Sequence, residues 1–248
     1  MADKIALVTG AGKRLGAAMA KSLGADGYSV IVHYNTSQSD AGAVVDAIVD
    51  AGGKARPVQC DLGDPHSVQQ FVKQIGPVDV LINSASVFEF DDPEALDPAM
   101  MQRALNINLV SPSLLASAMA AHHTARNSGC IINLLDQKLF NLNPDFFSYT
   151  LSKAGLHAAT QTMAMAYAPR IRVNAIAPGI TLPSASQSET AFKAAHALNP
   201  MGGGATPDDI VRTMHFILAT PSMTGETIII DGGQHLDARN RDVMFDKD

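Results

Sequence analysis

Apolar positions along this chain fall in short continuous runs and do not alternate strictly. The clearest are "KIALVT" (4–9), "SVIVHY" (29–34), "ARPVQC" (55–60), "VDVLIN" (78–83), "GCIINLL" (129–135), "IRVNAIA" (171–177) and "ETIIID" (226–231). A strand with one wet face alternates, whereas a strand covered on both faces is apolar at successive positions. The runs therefore predict parallel strands. Between them the pattern changes to helical spacing over about 14–26, 39–51, 65–75, 97–123, 148–168 and 207–219. Strand–helix alternation predicts βαβ units wound into a doubly wound α/β sheet. "DP" at 64–65 and "TPDD" at 206–209 have helix-start chemistry, and "AGG" at 51–53 reads as a helix stop. The segment 179–206 has no clear periodicity beyond a short helix near 189–197. A loop of that length in a compact domain is a lid, a binding segment or disordered.

Composition narrows the class. The 248 residues suffice for one α/β domain, with 46% apolar and 17% charged residues. A net charge of −6 argues against general nucleic-acid binding. Cys60 and Cys130 lie in strand-like runs and read as buried free thiols. The N-terminus runs straight into a strand without signal-peptide architecture, and no apolar run reaches the ~18 residues of a spanning helix. A soluble cytoplasmic protein with no membrane partner is expected. The eight histidines show no metal-ligand spacing, and His122 and His123 are expected to be exposed at a helix end. The charged terminus, 237–248, reads as a loose tail.

"IALVTGAGKRLGAAMAKSL" places Gly10, Gly12 and Gly16 between the first strand and the first helix. Glycines there let the backbone approach a pyrophosphate, and the helix N-terminus offers N–H donors. In such folds an acid after the second strand selects NAD. Here "VIVHYNTSQS" has no acid until Asp40. A 2′-phosphate would meet Lys13 or Arg14, Asn35, Thr36 and Ser37, with Tyr34 beside them and no carboxylate repelling it, so NADPH is the expected cofactor. Asp61, beside Leu62, either bonds an adenine amino group or serves a turn. Asn83, beside Ala85, ends the fourth strand at the ligand edge or caps backbone there.

Tyr149 and Lys153 stand four apart, on one face of a predicted helix. A phenol needs its anion stabilised to act near neutral pH, and an ammonium nearby would do that. With the glycine turn, "NSAS" (83–86), "NINL" (106–109), "YTLSK" (149–153), "NAIAPG" (174–179) and "IDGG" (230–233) in order, the chain resembles the short-chain dehydrogenase/reductases over nearly its whole length. That resemblance implies a single Rossmann-like domain with seven parallel strands, and hydride transfer from a nicotinamide. It implies Tyr149 as proton donor and Lys153 as the residue that lowers its pKa and holds the ribose. It further implies Asn108 beside a relay water, Leu15 and Gly16 in the phosphate turn, and Pro178, Gly179 and Ile180 near the nicotinamide amide. The long helices 97–123 and 148–168 resemble the family's subunit contact and imply a homotetramer.

Two departures carry more information. The middle glycine of the family's turn is Arg14, and the serine usually found about thirteen residues before the tyrosine is Asp136. An ionised carboxylate only accepts hydrogen bonds and is a poor partner for a ketone oxygen. With Ser86 and Phe88 they resemble the pteridine reductases and dihydromonapterin reductases. There the arginine faces pterin and phosphates, the serine bonds the pterin, and the aromatic ring stacks on it. Asp136 and Tyr149 would serve the proton side of C=N reduction in a pterin or dihydrofolate-like substrate. The alternatives are a general carbonyl or 3-oxoacyl reductase and a non-catalytic NADP(H)-binding regulator.

Overall fold

Seven strands form where the seven apolar runs lie. They are β1 (Ile5–Val8), β2 (Ser29–Tyr34), β3 (Lys54–Gln59), β4 (Val80–Asn83), β5 (Gly129–Leu134), β6 (Ile171–Pro178) and β7 (Thr227–Ile230). A computed structural model describes residues 4–125, 128–183 and 188–245. All pairings are parallel, in the order β3-β2-β1-β4-β5-β6-β7. The chain winds outward from β1 to β3, then returns to the centre and winds the other way from β4 to β7. The winding reverses between β1 and β4, and in such Rossmann-like sheets ligands lie beyond the carboxyl ends of the strands at that point.

The doubled covering explains the continuous apolar runs. Ala6, Val8, Val30, Val32, Val80, Ile82 and Ile132 pack with Met19, Leu23, Ile48, Ile210 and Met214. Those partners belong to α1 (Arg14–Ala25), α2 (Gln38–Asp50) and α8 (Pro207–Ala219). The intervening strand residues Leu7, Ile31, Leu81 and Ile131 pack on the opposite face with Phe71, Leu115, Met119 and Met163. These come from α3 (Pro65–Ile75), α5 (Ser111–His122) and α6 (Phe147–Tyr167). Each such side chain contributes about 1.5–3 kcal/mol by leaving water. The helix starts expected at 64–65 and 206–209 form as read. Asp64 accepts from the N–H groups of His66 and Ser67, and Thr206 with Asp209 makes a capping box. α7 (Glu189–Ala197) occupies the short helix expected inside the long loop.

Three expectations need correction. The helix read as one piece over 97–123 is α4 (Pro98–Leu105), a π-helical stretch over Asn106–Val110, and then α5. One widened turn is invisible to a 3.6-residue pattern, and such turns often sit at functional sites. Contrary to the expectation that no run is long enough, the stretch Pro98–His122 is long and apolar enough to cross a membrane by length and composition, its most apolar window having mean hydropathy 1.3 and being half buried in the protein. Finally, His122 is exposed as expected, whereas His123 is buried. Its Nε2 lies 2.7 Å from the Val78 carbonyl and its Nδ1 2.8 Å from the Ser128 hydroxyl. Two hydrogen bonds satisfy a ring that periodicity alone would leave in water. Cys60 and Cys130 are free and buried, as read.

Candidate active site

The carboxyl ends of β1, β4, β5 and β6 surround a cavity of about 410 Å³. Of the residues singled out in the sequence, Gly10, Lys13, Arg14, Leu15, Gly16, Ala85, Ser86, Phe88, Asp136, Tyr149, Lys153, Pro178, Gly179 and Ile180 line it. Tyr34, Asn35, Thr36, Ser37, Asp61, Leu62, Asn83 and Asn108 do not.

Close approach of main chains sets the glycine turn. A Cβ on Gly10, whose φ is +62°, would lie 2.9 Å from the Ala85 Cα, and one on Gly16 would strike the Gly10 carbonyl. Arg14 sits at φ +54°, which explains why a glycine is usual there. The guanidinium donates to the carbonyl oxygens of Leu182, at 3.3 Å, and Pro183. It therefore ties the glycine turn to the loop after β6 while still lining the cavity. Lys13 precedes α1 without making a side-chain cap, and the first turn of α1 holds no acid. Those first-turn N–H groups are donors without a side-chain acceptor, as an anionic pyrophosphate requires.

His33 and Thr9, neither flagged by the sequence, hold this edge in place. The His33 Nδ1 accepts from the Gly10 N–H at 3.0 Å, and Nε2 donates to the Cys60 carbonyl at 3.0 Å. Burial pulls its pKa down to about 4, so the ring stays neutral and keeps that tautomer. The Thr9 hydroxyl accepts from the N–H groups of Ser84 and Ala85, each at 3.0 Å. Beyond β2, Lys13 pairs with Asp40 at 3.0 Å, both side chains well exposed. Asp61 accepts from the Gly63 N–H at 2.8 Å and the Asn35 amide at 3.3 Å, so it serves the turn and stays at the rim.

At the reacting end, Asp136 follows β5 and starts a 3₁₀ turn over Gln137–Phe140, accepting from the Lys138 N–H at 2.8 Å. Its other oxygen accepts from the Tyr149 hydroxyl at 2.7 Å. Burial pushes the Asp136 carboxyl above its usual range, against the pull of the Lys138 N–H, the Tyr149 hydroxyl and the Lys153 charge. Burial, then the Asp136 charge, hold the Tyr149 phenol well above its usual value. Lys153 donates to the Leu134 carbonyl at 2.6 Å, and burial lowers it to about 8. Burial and the Asp136 carboxylate are the causes that set the direction of the phenol's shift. The ammonium lies 5.7 Å from the Tyr149 ring centre, while the carboxylate touches the hydroxyl. The nearer anion wins, and the phenol is a neutral donor to Asp136.

α6 is aimed by Asp91, which accepts from the Ser148 N–H at 3.0 Å and from its hydroxyl. Phe146, in the left-handed region at φ +55°, turns the chain into that helix. Asn108, in the π-helical stretch, uses its whole amide. Oδ1 accepts from the Val87 N–H and the Ser86 hydroxyl, and Nδ2 donates to the Val87 carbonyl and the Ser152 hydroxyl. No side-chain valence is left for the expected relay water, so this side chain is a brace for the 86–87 loop. Asn83 does not cap backbone. It donates to Asn133 at 2.8 Å, and its own Oδ1 is buried without a partner among the described residues. Phe88 stacks on Phe146 with centres 4.0 Å apart and meets the edge of Tyr149 at 4.8 Å.

Residues that sequence reasoning missed complete the wall: Gln137, Lys138, Gln234, Asp242, Val243 and Met244. The Gln234 Oε1 accepts from the Ile180 N–H at 3.3 Å. The terminus read as loose is docked over its described part, 237–245; residues 246–248 lie outside the described residues. Arg241 Nε sits 2.9 Å from an Asp145 oxygen, and Lys138 pairs with Asp242 at 3.2 Å. Charge patterning marks a tail as polar but does not reveal a buried partner as distant as Asp145.

The sequence profile of the short chain dehydrogenase family matches residues 4–194. The structure superposes on that of FolM alternative dihydrofolate reductase 1 from Brucella canis, complexed with NADP. The TM-score is 0.90 and identity 40%, with 96% of each chain covered. An uncharacterized oxidoreductase of Methylorubrum extorquens is 36% identical, over 93% of this chain and 97% of that protein. The 3beta-hydroxysteroid dehydrogenase 1 of Eggerthella lenta is 34% identical, over 94% of each. The chain belongs to the short chain dehydrogenase family.

Proposed function

We propose that this protein is an NADPH-dependent reductase acting on a C=N bond of a pterin or dihydrofolate-like ring. The observation that carries this reading is the buried Asp136 carboxylate joined to the Tyr149 hydroxyl at 2.7 Å in the cavity wall. A carboxylate accepts a ring or amino N–H and suits a nitrogen-rich ring, whereas it repels a ketone oxygen. Phe88 offers a flat surface backed by Phe146, and the Ser86 hydroxyl, donating to Asn108, keeps lone pairs for a substrate N–H. The 40% identity to a dihydrofolate reductase solved with NADP supports both cofactor and substrate class.

The uncapped first turn of α1 would hold the pyrophosphate, Lys13 and the Tyr34–Ser37 segment the phosphorylated ribose, and Lys153 the nicotinamide ribose. NADPH, when bound, supplies the hydride. The protein supplies the proton: as the C=N carbon is reduced, the bond's electrons move to nitrogen, which takes a proton from the Asp136–Tyr149 pair. Solvent returns that proton. Because Lys153 titrates near 8, NADPH affinity is expected to fall by roughly fivefold as pH rises through that value, the difference between charged and neutral donors. Fluorescence titration across pH checks this, and Lys153→Met should flatten the profile. We assign the protein to the cytoplasm, where unpaired Cys60 and Cys130 stay reduced. We also assign it a homotetramer built on the two long helical segments 97–123 and 148–168, the second of which exposes Leu151 and Met165.

The second reading, a carbonyl reductase, is favoured by the 34% identity to a hydroxysteroid dehydrogenase. NADPH absorbance with dihydrobiopterin, dihydromonapterin and dihydrofolate beside a ketone panel separates the two. Pterin turnover supports the main reading, and ketone turnover alone sinks it. Tight NADPH binding with no turnover of either class identifies a regulator.

A further inference from the structure

We infer that the C-terminal segment 241–245 of the same chain is a specificity-determining wall of the substrate site, with Val243 and Met244 as the side chains that measure the substrate. The inference rests on the ring-reductase reading for the identity of that substrate, but not for the position of the wall.

The segment is clasped by charge. Asp145, its side chain 3% exposed, accepts from Arg241 Nε at 3.0 and 2.9 Å, one to each oxygen, and from the Asp242 N–H at 2.7 Å. Arg241 is half-exposed and is the nearer of two cations acting on that carboxylate, the other being Lys138, so removing it loosens the clasp. Asp242 in turn pairs with Lys138, also buried, which additionally donates to Asn143. Upstream, Asn141 donates to the Asp237 carbonyl at 2.7 Å. Val243 and Met244 follow the clasp directly and face the cavity, and Phe245 packs on Phe90 at 5.0 Å and Phe146 at 6.0 Å.

The segment reaches both residues that decide ring recognition. Lys138, which holds Asp242, donates its N–H to Asp136. Phe245 backs Phe146, on which Phe88 stacks. Val243 and Met244 bound the same cavity of about 410 Å³ as Asp136, Tyr149 and Lys153, so a bulky substituent on a substrate held there meets the wall before a thin ring does. The flexible thioether of Met244 lets the wall adapt to flat surfaces.

Two variants and one label test this. V243G/M244G opens the wall with the clasp intact. Its kcat/KM ratio for dihydrofolate, which carries a long substituent, over dihydrobiopterin is expected to rise about tenfold, the scale of a few methylenes in an apolar pocket. NADPH affinity should not change. If the wild-type enzyme reduces only ketones, the ring reading fails, and the same ratio taken between bulky and compact ketones still reads the wall. The label needs no turnover. Val243→Cys, at a partly buried position, should react with a maleimide at least about tenfold faster when Arg241→Ala is added, because opening then controls access. Cys60 and Cys130 are buried and give little background. Unchanged substrate ratios in a folded, NADPH-binding V243G/M244G would overturn the proposal, as would equal labelling rates with and without Arg241.

Discussion

Asp136→Ser is expected to lower kcat/KM for a pterin by ~10²–10⁴, the range for loss of a positioned acid–base group, while NADPH affinity is retained. Serine preserves the local fold, because its hydroxyl can still accept from the Lys138 N–H that Asp136 now caps. Ketone reduction should move in the opposite direction, since a hydroxyl can donate to a carbonyl oxygen and a carboxylate cannot. Steady-state kinetics on both substrate classes, with a fluorescence titration of NADPH, reads this crossing directly. Retained pterin turnover would remove Asp136 from the chemistry. Stability should improve. The carboxyl titrates above its unfolded value of 3.8 because it is buried, so the folded state binds more protons than the unfolded one in that window. Stability is therefore lost as pH rises from about 4 through the folded value, and the serine variant lacks that loss. A series of Tm measurements across pH would show it, and a wild-type profile no steeper than the variant's would contradict the assignment.

Tyr149→Phe is expected to cost a comparable ~10²–10⁴ in kcat with little change in NADPH affinity. The phenol is held neutral by burial and by Asp136, so it is the proton-bearing member of the pair at working pH. Phenylalanine keeps the edge contact with Phe88 but deletes the 2.7 Å hydrogen bond. Asp136 then loses one of the donors that oppose burial, and its carboxyl should titrate still higher. Since the two groups act as one unit, the double variant Asp136→Ser/Tyr149→Phe should be scarcely worse than either single one. Additive losses in single-turnover rates would show that the two side chains act separately.

The carboxylate–phenol contact also shows how sequence and tertiary structure divide the site. Asp136 lies thirteen positions before Tyr149, and the family resemblance, which has a serine at that spacing, singled out both. Their contact depends on where β5 ends, on the 3₁₀ turn that Asp136 starts, and on Asp91 reaching from a distant loop to set the start of α6. The same holds for Lys153. Helical spacing put it beside Tyr149, but its ammonium turns to the Leu134 carbonyl, and the phenol answers to the nearer anion. Arg14 was legible as a departure from a glycine, yet its reach to Leu182 and Pro183 was not, because those residues lie some 170 positions away and local pattern does not encode such pairs.

By itself the sequence determined what depends on local periodicity and on short-range chemistry. Strands buried on both faces must be apolar throughout, so seven runs announced a parallel sheet. Glycine and proline punctuation placed the helix ends, and the turn, the Tyr149/Lys153 pair and Asp136 fell at positions with recognisable chemistry. Only the tertiary structure decided what depends on burial and on long-range pairing. It made His33 and Thr9 braces of the phosphate edge and turned Asn108 into a brace with no free valence. It also bound the charged terminus through Arg241 and Asp242 to Asp145 and Lys138, so that Val243 and Met244 line the cavity. A charged segment reads as solvent-exposed in one dimension, and only folding brings a buried counter-charge within reach.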